Sequence, residues 1–137
     1  MTAMATSLPA DRLRLLSLGT PCARLLGLLP RRRPPGPRSG VLLRPCRGVH
    51  TAGMAYAIQV AFIDRNGRVL RVRTLAPWRA ALCRGAVAVV ETRAGVIAAE
   101  DGGIGRIEAA VQHAARRDVH RHLQRIHQRR GQAGRHQ

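Results

Sequence analysis

The stretch that determines the fold spans residues 50–67 and reads HTAGMAYAIQVAFIDRNG. From Tyr56 to Phe62, large apolar side chains occupy every second position, a period of two that is typical of a β-strand with one face towards the core. The stretch ends in Asp64-Arg65-Asn66-Gly67. Because an Asp side chain can bond the backbone ahead of it and Asn-Gly tolerates positive φ, these four residues predict a tight hairpin turn.

A return strand is expected directly after this turn, over residues 68–75. In that strand we expect Leu70 and Val72 to face the core, while Arg71 and Arg73 face solvent. Trp78, the only Trp of the chain, follows the return strand and lies next to a proline. We interpret it as a lid packed over the edge of the domain rather than as a platform for stacked bases.

Other short apolar runs, separated by Gly and Pro, predict further strands at residues 13–18, 41–43 and 86–92. Leucines at helical intervals predict a short helix over residues 22–29. Together these elements predict an α+β, mainly β fold: a small, mostly antiparallel sheet or open barrel with a short N-terminal helix and a basic C-terminal helix. We divide the chain into a disordered start at residues 1–11, a single β-rich domain at 12–105, and a basic helix with a frayed tail at 106–137.

The charge is concentrated at the two ends of the chain. All 24 basic Lys and Arg positions are Arg, against seven acidic residues, and the net charge is +17. Residues 48–105 are nearly balanced at +3, as expected of a folded domain, whereas residues 1–47 and 106–137 carry +8 and +6. A complete absence of Lys favours a compositional bias of the coding sequence over selection for phosphate recognition.

The C-terminal segment shows a loose helical stripe of apolar residues from Ile107 to Ile126, with arginines on the opposite face. Such a helix can lie on a membrane, bind nucleic acid, or cap the sheet with its apolar stripe. We favour capping or partial disorder. Near the other end, Arg31, Arg32 and Arg33 lie among prolines and predict an exposed loop.

The expected compartment is the cytoplasm. Cys22, Cys46 and Cys83 are widely spaced and odd in number, so we interpret them as reduced, small apolar residues. No apolar run approaches the roughly 20 residues that span a bilayer. Arginines interrupt the apolar content of the first 29 residues, which disfavours a secretory signal. The sequence therefore predicts a soluble protein.

Six short motifs follow one another along the chain and carry a family resemblance. They are RLLGL at residues 24–28, HTAGM at 50–54, IQVAFID at 58–64, GRV at 67–69, PWR at 77–79 and VVETRAG at 89–95. In this order and spacing the chain, over residues 12–105, resembles the bacterial and archaeal family named domain of unknown function 192. The family has no settled activity, so the resemblance implies a fold and no reaction. Gln59 stands where the family usually has a carboxylate, so a metal or acid–base role is not implied there.

The polar residues around the central strand form the candidate ligand-binding site. They are His50, Thr51, Gly53, Met54 and Asp64. The alternative interpretation is structural: Thr51 bonds nearby backbone, Gly53 permits an unusual φ, and Met54 fills the end of the sheet.

No catalytic residue, metal site or cofactor is predicted. Cys46-x-x-x-His50 supplies only half of a zinc site, and the histidines of the C-terminal segment lack the spacing of a metalloprotease helix. No pairing of a cysteine with a His–acid pair is identifiable, and neither a Gly-x-Ser-x-Gly motif nor a phosphate-binding glycine loop is present.

Two hypotheses about function follow. The first is a non-enzymatic, β-rich domain that binds an unknown protein or a small ligand near residues 50–54. The alternative is electrostatic binding of nucleic acid or an acidic membrane surface. The residues of the alternative are Arg31, Arg32, Arg33, Arg116, Arg117, Arg121 and Arg125. The sequence specifies neither the ligand nor the oligomeric state.

Overall fold

The computed structural model describes residues 12–19, 36–97 and 102–133. Over these residues the chain forms seven strands and one long helix. They are β1 (Arg14–Leu18), β2 (Ser39–Leu43), β3 (Gly48–His50), β4 (Ile58–Ile63), β5 (Val69–Leu75), β6 (Ala80–Leu82), β7 (Ala88–Arg93) and α1 (Gly103–Ala133). Five strands form one sheet in the order β1-β2-β7-β4-β5, and β3 pairs with β6 in a separate two-stranded ribbon.

The prediction of a mainly β fold with a C-terminal helix is confirmed. Three of the four pairings in the large sheet are antiparallel, and the pairing of β1 with β2 is parallel, so the sheet is mixed. The described residues form no closed barrel, because β1 and β5 remain at opposite edges of the sheet. The predicted N-terminal helix at residues 22–29 lies outside the described residues.

Strand β4 forms where its alternating pattern predicts a strand, and it lies between β7 and β5 in the large sheet. Ile58, Val60 and Phe62 face one apolar cluster, and the alternate residues Ala61 and Ile63 face a second cluster on the other side of the sheet. Every residue of β4 is buried, so the strand has two core faces rather than one. The second face is buried because α1 packs across it through Ile107, Ala110, Val111 and Ala114.

The hairpin after β4 forms as predicted. The Asp64 side chain accepts hydrogen bonds from the backbone N–H groups of Asn66 at 2.8 Å and Arg68 at 3.0 Å. Gly67 has a φ of 79°, a left-handed conformation that glycine adopts without steric cost. The turn therefore determines where β5 begins.

The prediction for Leu70 is wrong, whereas those for Val72, Arg71 and Arg73 hold. Val72 packs against the helix-side cluster, and both arginines are exposed. Leu70 is 47% exposed, because the register shifts between Phe62 and Ile63 and leaves Leu70 as the extra residue of a β-bulge.

Only the first part of α1 belongs to the core. Its buried residues end at Ala114, and the remaining turns project past the sheet. Within the described ranges, no helix is apolar over the length needed to cross a membrane.

Candidate functional site

Thr51 joins the ribbon to the turn that precedes β6. Its side chain is fully buried, and its hydroxyl oxygen lies 2.6 Å from the carbonyl oxygen of Ala76 and accepts a hydrogen bond from the N–H of Arg79 at 2.8 Å. The Thr51 backbone adds two bonds: its N–H donates to the Arg79 carbonyl, and its carbonyl accepts from the N–H of Trp78. The backbone of residues 76–79 is therefore bonded at several points to a single residue.

This turn presents Trp78 to solvent in an uncommon backbone conformation. Trp78 has a φ of 61°, and its side chain is 70% exposed. A bulky residue in the left-handed region costs about 1–3 kcal/mol and persists only where the surrounding structure imposes it. The interpretation of Trp78 as a packed lid is wrong, because the bonds to Thr51 hold the turn in a conformation that leaves the indole uncovered.

The ribbon has one face towards the core and one towards solvent. Val49 and Ala81 lie opposite each other, and both pack against the core. His50 lies opposite Ala80 on the outward face. Leu82, opposite Gly48, is 61% exposed. The result is a shallow, open depression lined by Gly48, Val49, His50, Ala80, Ala81 and Leu82.

The five predicted ligand-binding residues lie in three places: the outward face of the ribbon, the turn at residues 51–54, and the hairpin turn after β4. His50 is exposed on the outward face of the ribbon, whereas Thr51 and Met54 are buried. Gly53 has a φ of 80°, and the N–H of Met54 donates to the Thr51 carbonyl, so residues 51–54 form a tight turn. Met54 belongs to the apolar cluster that contains Ile58.

Asp64 is not brought together with the other four residues. Thr51 bonds Ala76, next to the end of β5 that pairs with Ile58, whereas Asp64 follows the opposite end of β4. Six strand residues separate these ends by roughly 20 Å at about 3.3 Å per residue. The Asp64 carboxylate accepts two backbone hydrogen bonds within its own turn.

Gln59 has a structural environment. Its side-chain amide donates to the carbonyl of Ile97 at 3.1 Å and accepts from the N–H of Ile97 at 2.8 Å. The NH2 group and the oxygen of the Gln59 amide thus make the two hydrogen bonds that the buried backbone of Ile97 would otherwise need from a neighbouring strand.

Glu91 is a buried carboxyl residue that sequence reasoning does not identify as a site residue. It is 5% exposed and lies opposite Val41 on one side and Val60 on the other, both in the cluster that includes Met54. The sequence signal for its burial is its position in β7: Glu91 follows Val89 by two residues and so shares a strand face with an apolar residue.

The described residues contain no group of three or more His, Cys, Asp or Glu side chains placed to hold a metal ion. The thiol of Cys46 lies 3.1 Å from the carbonyl oxygen of Gly48, and it and Cys83 flank the apolar cluster beneath the ribbon. Cys22 lies outside the described ranges.

The arginines of the electrostatic alternative are divided between two segments. Arg31, Arg32 and Arg33 lie outside the described residues. Arg116, Arg121 and Arg125 are exposed on the part of α1 beyond the sheet. The guanidinium of Arg117 donates to the carbonyl of Leu15 at 3.2 Å and ties the helix to the edge strand β1.

Two crystal structures share this fold. One is a protein of unknown function from Novosphingobium aromaticivorans, with 18% identity, a TM-score of 0.55, and coverage of 61% of this chain and 65% of that one. The other, from Sinorhizobium meliloti, is described as a candidate transcription regulator, with 22% identity, a TM-score of 0.55, and coverage of 62% and 71%. The chain thus spans slightly less than two thirds of the first structure. At these identities the similarity concerns the fold alone.

The family comparison agrees with the resemblance carried by the six motifs. No functionally curated protein matches the chain. The model of domain of unknown function 192, described as an uncharacterised ACR, matches residues 7–107, which is well over half of the 137 residues. The chain therefore belongs to the domain of unknown function 192 family.

Proposed function

We propose that this protein is a non-enzymatic binding domain that recognises a protein partner through the outward face of the ribbon and the adjoining turn, which we name the ribbon surface. It consists of His50, Trp78, Ala80 and Leu82. The observation that carries the proposal is the high exposure of Trp78 on a backbone that Thr51 holds in place.

The exposed side chains support recognition of a protein. Trp is among the residues that dominate binding energy at protein interfaces, where it fills a pocket on the partner and is shielded from water. Trp78 and Leu82 are 70% and 61% exposed, and both lie within a few residues of the same turn. Because hydrogen bonds already fix the backbone of the turn, binding requires little additional ordering of that segment.

The shape of the surface also favours a peptide segment or a protein face over an enclosed small molecule. Sites for small molecules are concave and surround most of the ligand. The depression over the ribbon is shallow and open, and four of its six lining residues are Gly, Ala or Val. Its outward face contributes one ionisable side chain, His50, which supports recognition rather than a paired acid–base reaction.

The test is a selection of phage-displayed random peptides against the full chain, followed by measurement of the Kd of the tightest peptide. We expect Trp78→Ala and Leu82→Ser each to weaken binding about tenfold or more, as is typical of residues at the centre of an interface. His50→Ala should weaken it less. The melting temperature should stay within about 2 °C of the wild type, since these side chains are exposed.

The matched control is Leu70→Ser, which changes an exposed Leu in the bulge of β5. Its Kd should equal that of the wild type. If Leu70→Ser weakens the peptide as much as Leu82→Ser does, or if every selected peptide binds the Trp78→Ala/Leu82→Ser double variant with wild-type affinity, the proposal is wrong. Met54→Ala is unsuitable as a binding test, because Met54 is a core residue and its truncation would destabilise the fold.

A further inference from the structure

Helix α1 changes character where it leaves the sheet. Its 31 residues extend about 46 Å at a rise of roughly 1.5 Å per residue. The buried residues are Gly103, Ile107, Ala110, Val111 and Ala114, and none lies beyond Ala114. The bond from Arg117 to the carbonyl of Leu15 marks the point where the helix passes β1. More than half of the helix therefore projects from the domain.

The projecting part is strongly basic. Residues 116–133 contain six Arg and a single acid, Asp118. Three of these arginines, Arg121, Arg125 and Arg129, recur at intervals of four and form what we name the arginine row. Residues four apart lie next to each other on one side of a helix, about 6 Å apart along its axis.

The arginine row continues the face of the helix that packs on the sheet. Five turns of about 3.6 residues equal 18 residues, so residues 18 apart have the same direction around the axis. Each arginine of the row lies 18 residues after a buried residue: Arg121 after Gly103, Arg125 after Ile107 and Arg129 after Val111. The expectation that the arginines lie opposite the apolar stripe is therefore wrong for the arginine row, and the face that is apolar over the sheet becomes cationic beyond it.

From this arrangement we propose that the arginine row binds the phosphate backbone of a nucleic acid duplex. A guanidinium matches phosphate geometry with paired hydrogen bonds, and a row of arginines along a helix supplies successive contacts to a polyanion. A second copy of the chain does not fit this face, because each copy has a net charge of +17. This site is separate from the ribbon surface, and the inference does not depend on the partner proposed there.

An acidic membrane fits the projecting helix less well. A helix that lies in a membrane interface needs a broad apolar face. Here the large apolar residues beyond the core are Val119, Leu123 and Ile126, which span only about 60° of the helix circumference at about 100° per residue. The neighbouring positions around the helix include His120, His122 and His127. This stripe is too narrow to anchor the helix by burial in lipid.

The experiment measures binding of a fluorescein-labelled, random-sequence DNA duplex to the full chain by anisotropy, as a function of NaCl concentration. The row variant changes Arg121, Arg125 and Arg129 to Gln. Because each phosphate contact contributes about 0.9 to the slope of log K against log salt, the slope should become shallower by about 2.7. Arg and Gln have similar helix propensities, so circular dichroism should show an unchanged helix content.

The control variant removes the same charge elsewhere, by changing the exposed Arg71, Arg73 and Arg93 to Gln. It should keep the wild-type slope. Equal loss of slope in both triple variants would overturn the proposal, because net charge alone would then account for binding.

Two further measurements test whether the arginine row binds the phosphate backbone or whether another surface or partner accounts for the binding. Val119→Gln/Leu123→Gln should leave duplex affinity unchanged within twofold, and a larger loss would mean that the apolar stripe carries binding, which contradicts the proposal. Vesicles of phosphatidylserine and phosphatidylcholine should bind more weakly than the duplex at equal salt. Stronger binding to the vesicles, lost in the row variant, would assign the arginine row to a membrane instead.

Discussion

The hydroxyl group of Thr51 bonds the backbone of Arg79, 28 residues further along the chain, with a distance of 2.8 Å between the Thr51 oxygen and the Arg79 nitrogen. The same hydroxyl lies 2.6 Å from the carbonyl oxygen of Ala76, and the Arg79 carbonyl is a second, longer acceptor at 3.2 Å. A buried side chain therefore connects both ends of the turn that carries Trp78.

Replacing this hydroxyl should destabilise the protein in proportion to the bonds lost. Thr51→Val keeps the shape of the side chain but removes the donor and the acceptor, and we expect a loss of about 1–3 kcal/mol in the free energy of unfolding. Thr51→Ser keeps the hydroxyl and should lose less. Urea unfolding followed by circular dichroism gives the free energy, while the fluorescence of Trp78 reports on the turn. Equal stability of the Val variant and the wild type would contradict this role of Thr51.

The backbone of Trp78 predicts an unusual order of stability among its variants. At a φ of 61° glycine is free of the Cβ strain that affects other residues, so Trp78→Gly should be more stable than Trp78→Ala by about 1 kcal/mol. Elsewhere in a chain, Ala is normally the more stable of the two. Thermal unfolding of both variants measures the difference. Greater stability of Trp78→Ala would show that the turn does not hold this φ in solution.

The local parts of the fold follow from the sequence, because their causes are local. The alternation in β4 and the Asp64–Gly67 turn depend on neighbouring residues, and both form as predicted. The second buried face of β4 depends on Ile107 and Val111 of α1, more than 40 residues away. A strand pattern alone cannot show which distant helix covers it.

The same distinction between local and long-range causes applies to the candidate site. The motif at residues 50–54 contains Thr51, but the exposure of Trp78 depends on hydrogen bonds to Thr51 that only the tertiary structure makes. The sequence groups Asp64 with His50, since only one strand separates them along the chain. The extended geometry of β4 then carries it to the other end of the sheet.

Gln59 should be sensitive even to small chemical changes. Gln59→Leu leaves the N–H and carbonyl of the buried Ile97 without their partners, and we expect a loss of about 2–4 kcal/mol in unfolding free energy. Gln59→Glu keeps the acceptor, but an ionised carboxylate cannot donate to the Ile97 carbonyl. Chemical unfolding at several pH values measures both losses.

The Glu variant should also show a characteristic pH dependence. Burial favours the neutral carboxyl group, which raises its pKa in the folded state above the ordinary value of about 4.3. Its stabilising contribution is then present at low pH and is lost as the pH rises through the folded-state pKa. The stability gap to the wild type should therefore be smaller at acid pH than at neutral pH, and a gap that stays constant with pH would refute this explanation.

Gly40 has no room for a side chain. A Cβ at this position would lie 2.9 Å from the carbonyl oxygen of Glu91 and 3.1 Å from side-chain atoms of Leu15 and Thr92. Since the first of these neighbours is backbone in the middle of the sheet, Gly40→Ala should cost about 1–3 kcal/mol. Gly36→Ala, with no neighbour within 4 Å, is the control and should change stability by less than about 0.5 kcal/mol. Similar unfolding midpoints in urea for the two variants would disprove the steric argument.

Glu108 attaches α1 to the start of β5 by two interactions of unequal strength. One carboxylate oxygen accepts a hydrogen bond from the N–H of Val69 at 3.0 Å, and the other lies 3.7 Å from the guanidinium of Arg68, whose side chain is 71% exposed. An ion pair with so exposed a partner contributes little, whereas a hydrogen bond from backbone to a charged acceptor contributes about 1.5–3 kcal/mol.

We therefore expect Glu108→Ala to lower the unfolding free energy by about 1.5–3 kcal/mol, while Arg68→Ala changes it by less than about 0.5 kcal/mol. Glu108→Gln retains an acceptor for the N–H of Val69, so its loss of unfolding free energy should be smaller than that of Glu108→Ala and larger than that of Arg68→Ala. Raising the salt concentration should barely alter the effect of Glu108→Ala, since screening weakens the ion pair rather than the hydrogen bond. Urea unfolding at low and high salt measures these differences, and a loss in Arg68→Ala as large as in Glu108→Ala would show that the ion pair is what holds the helix.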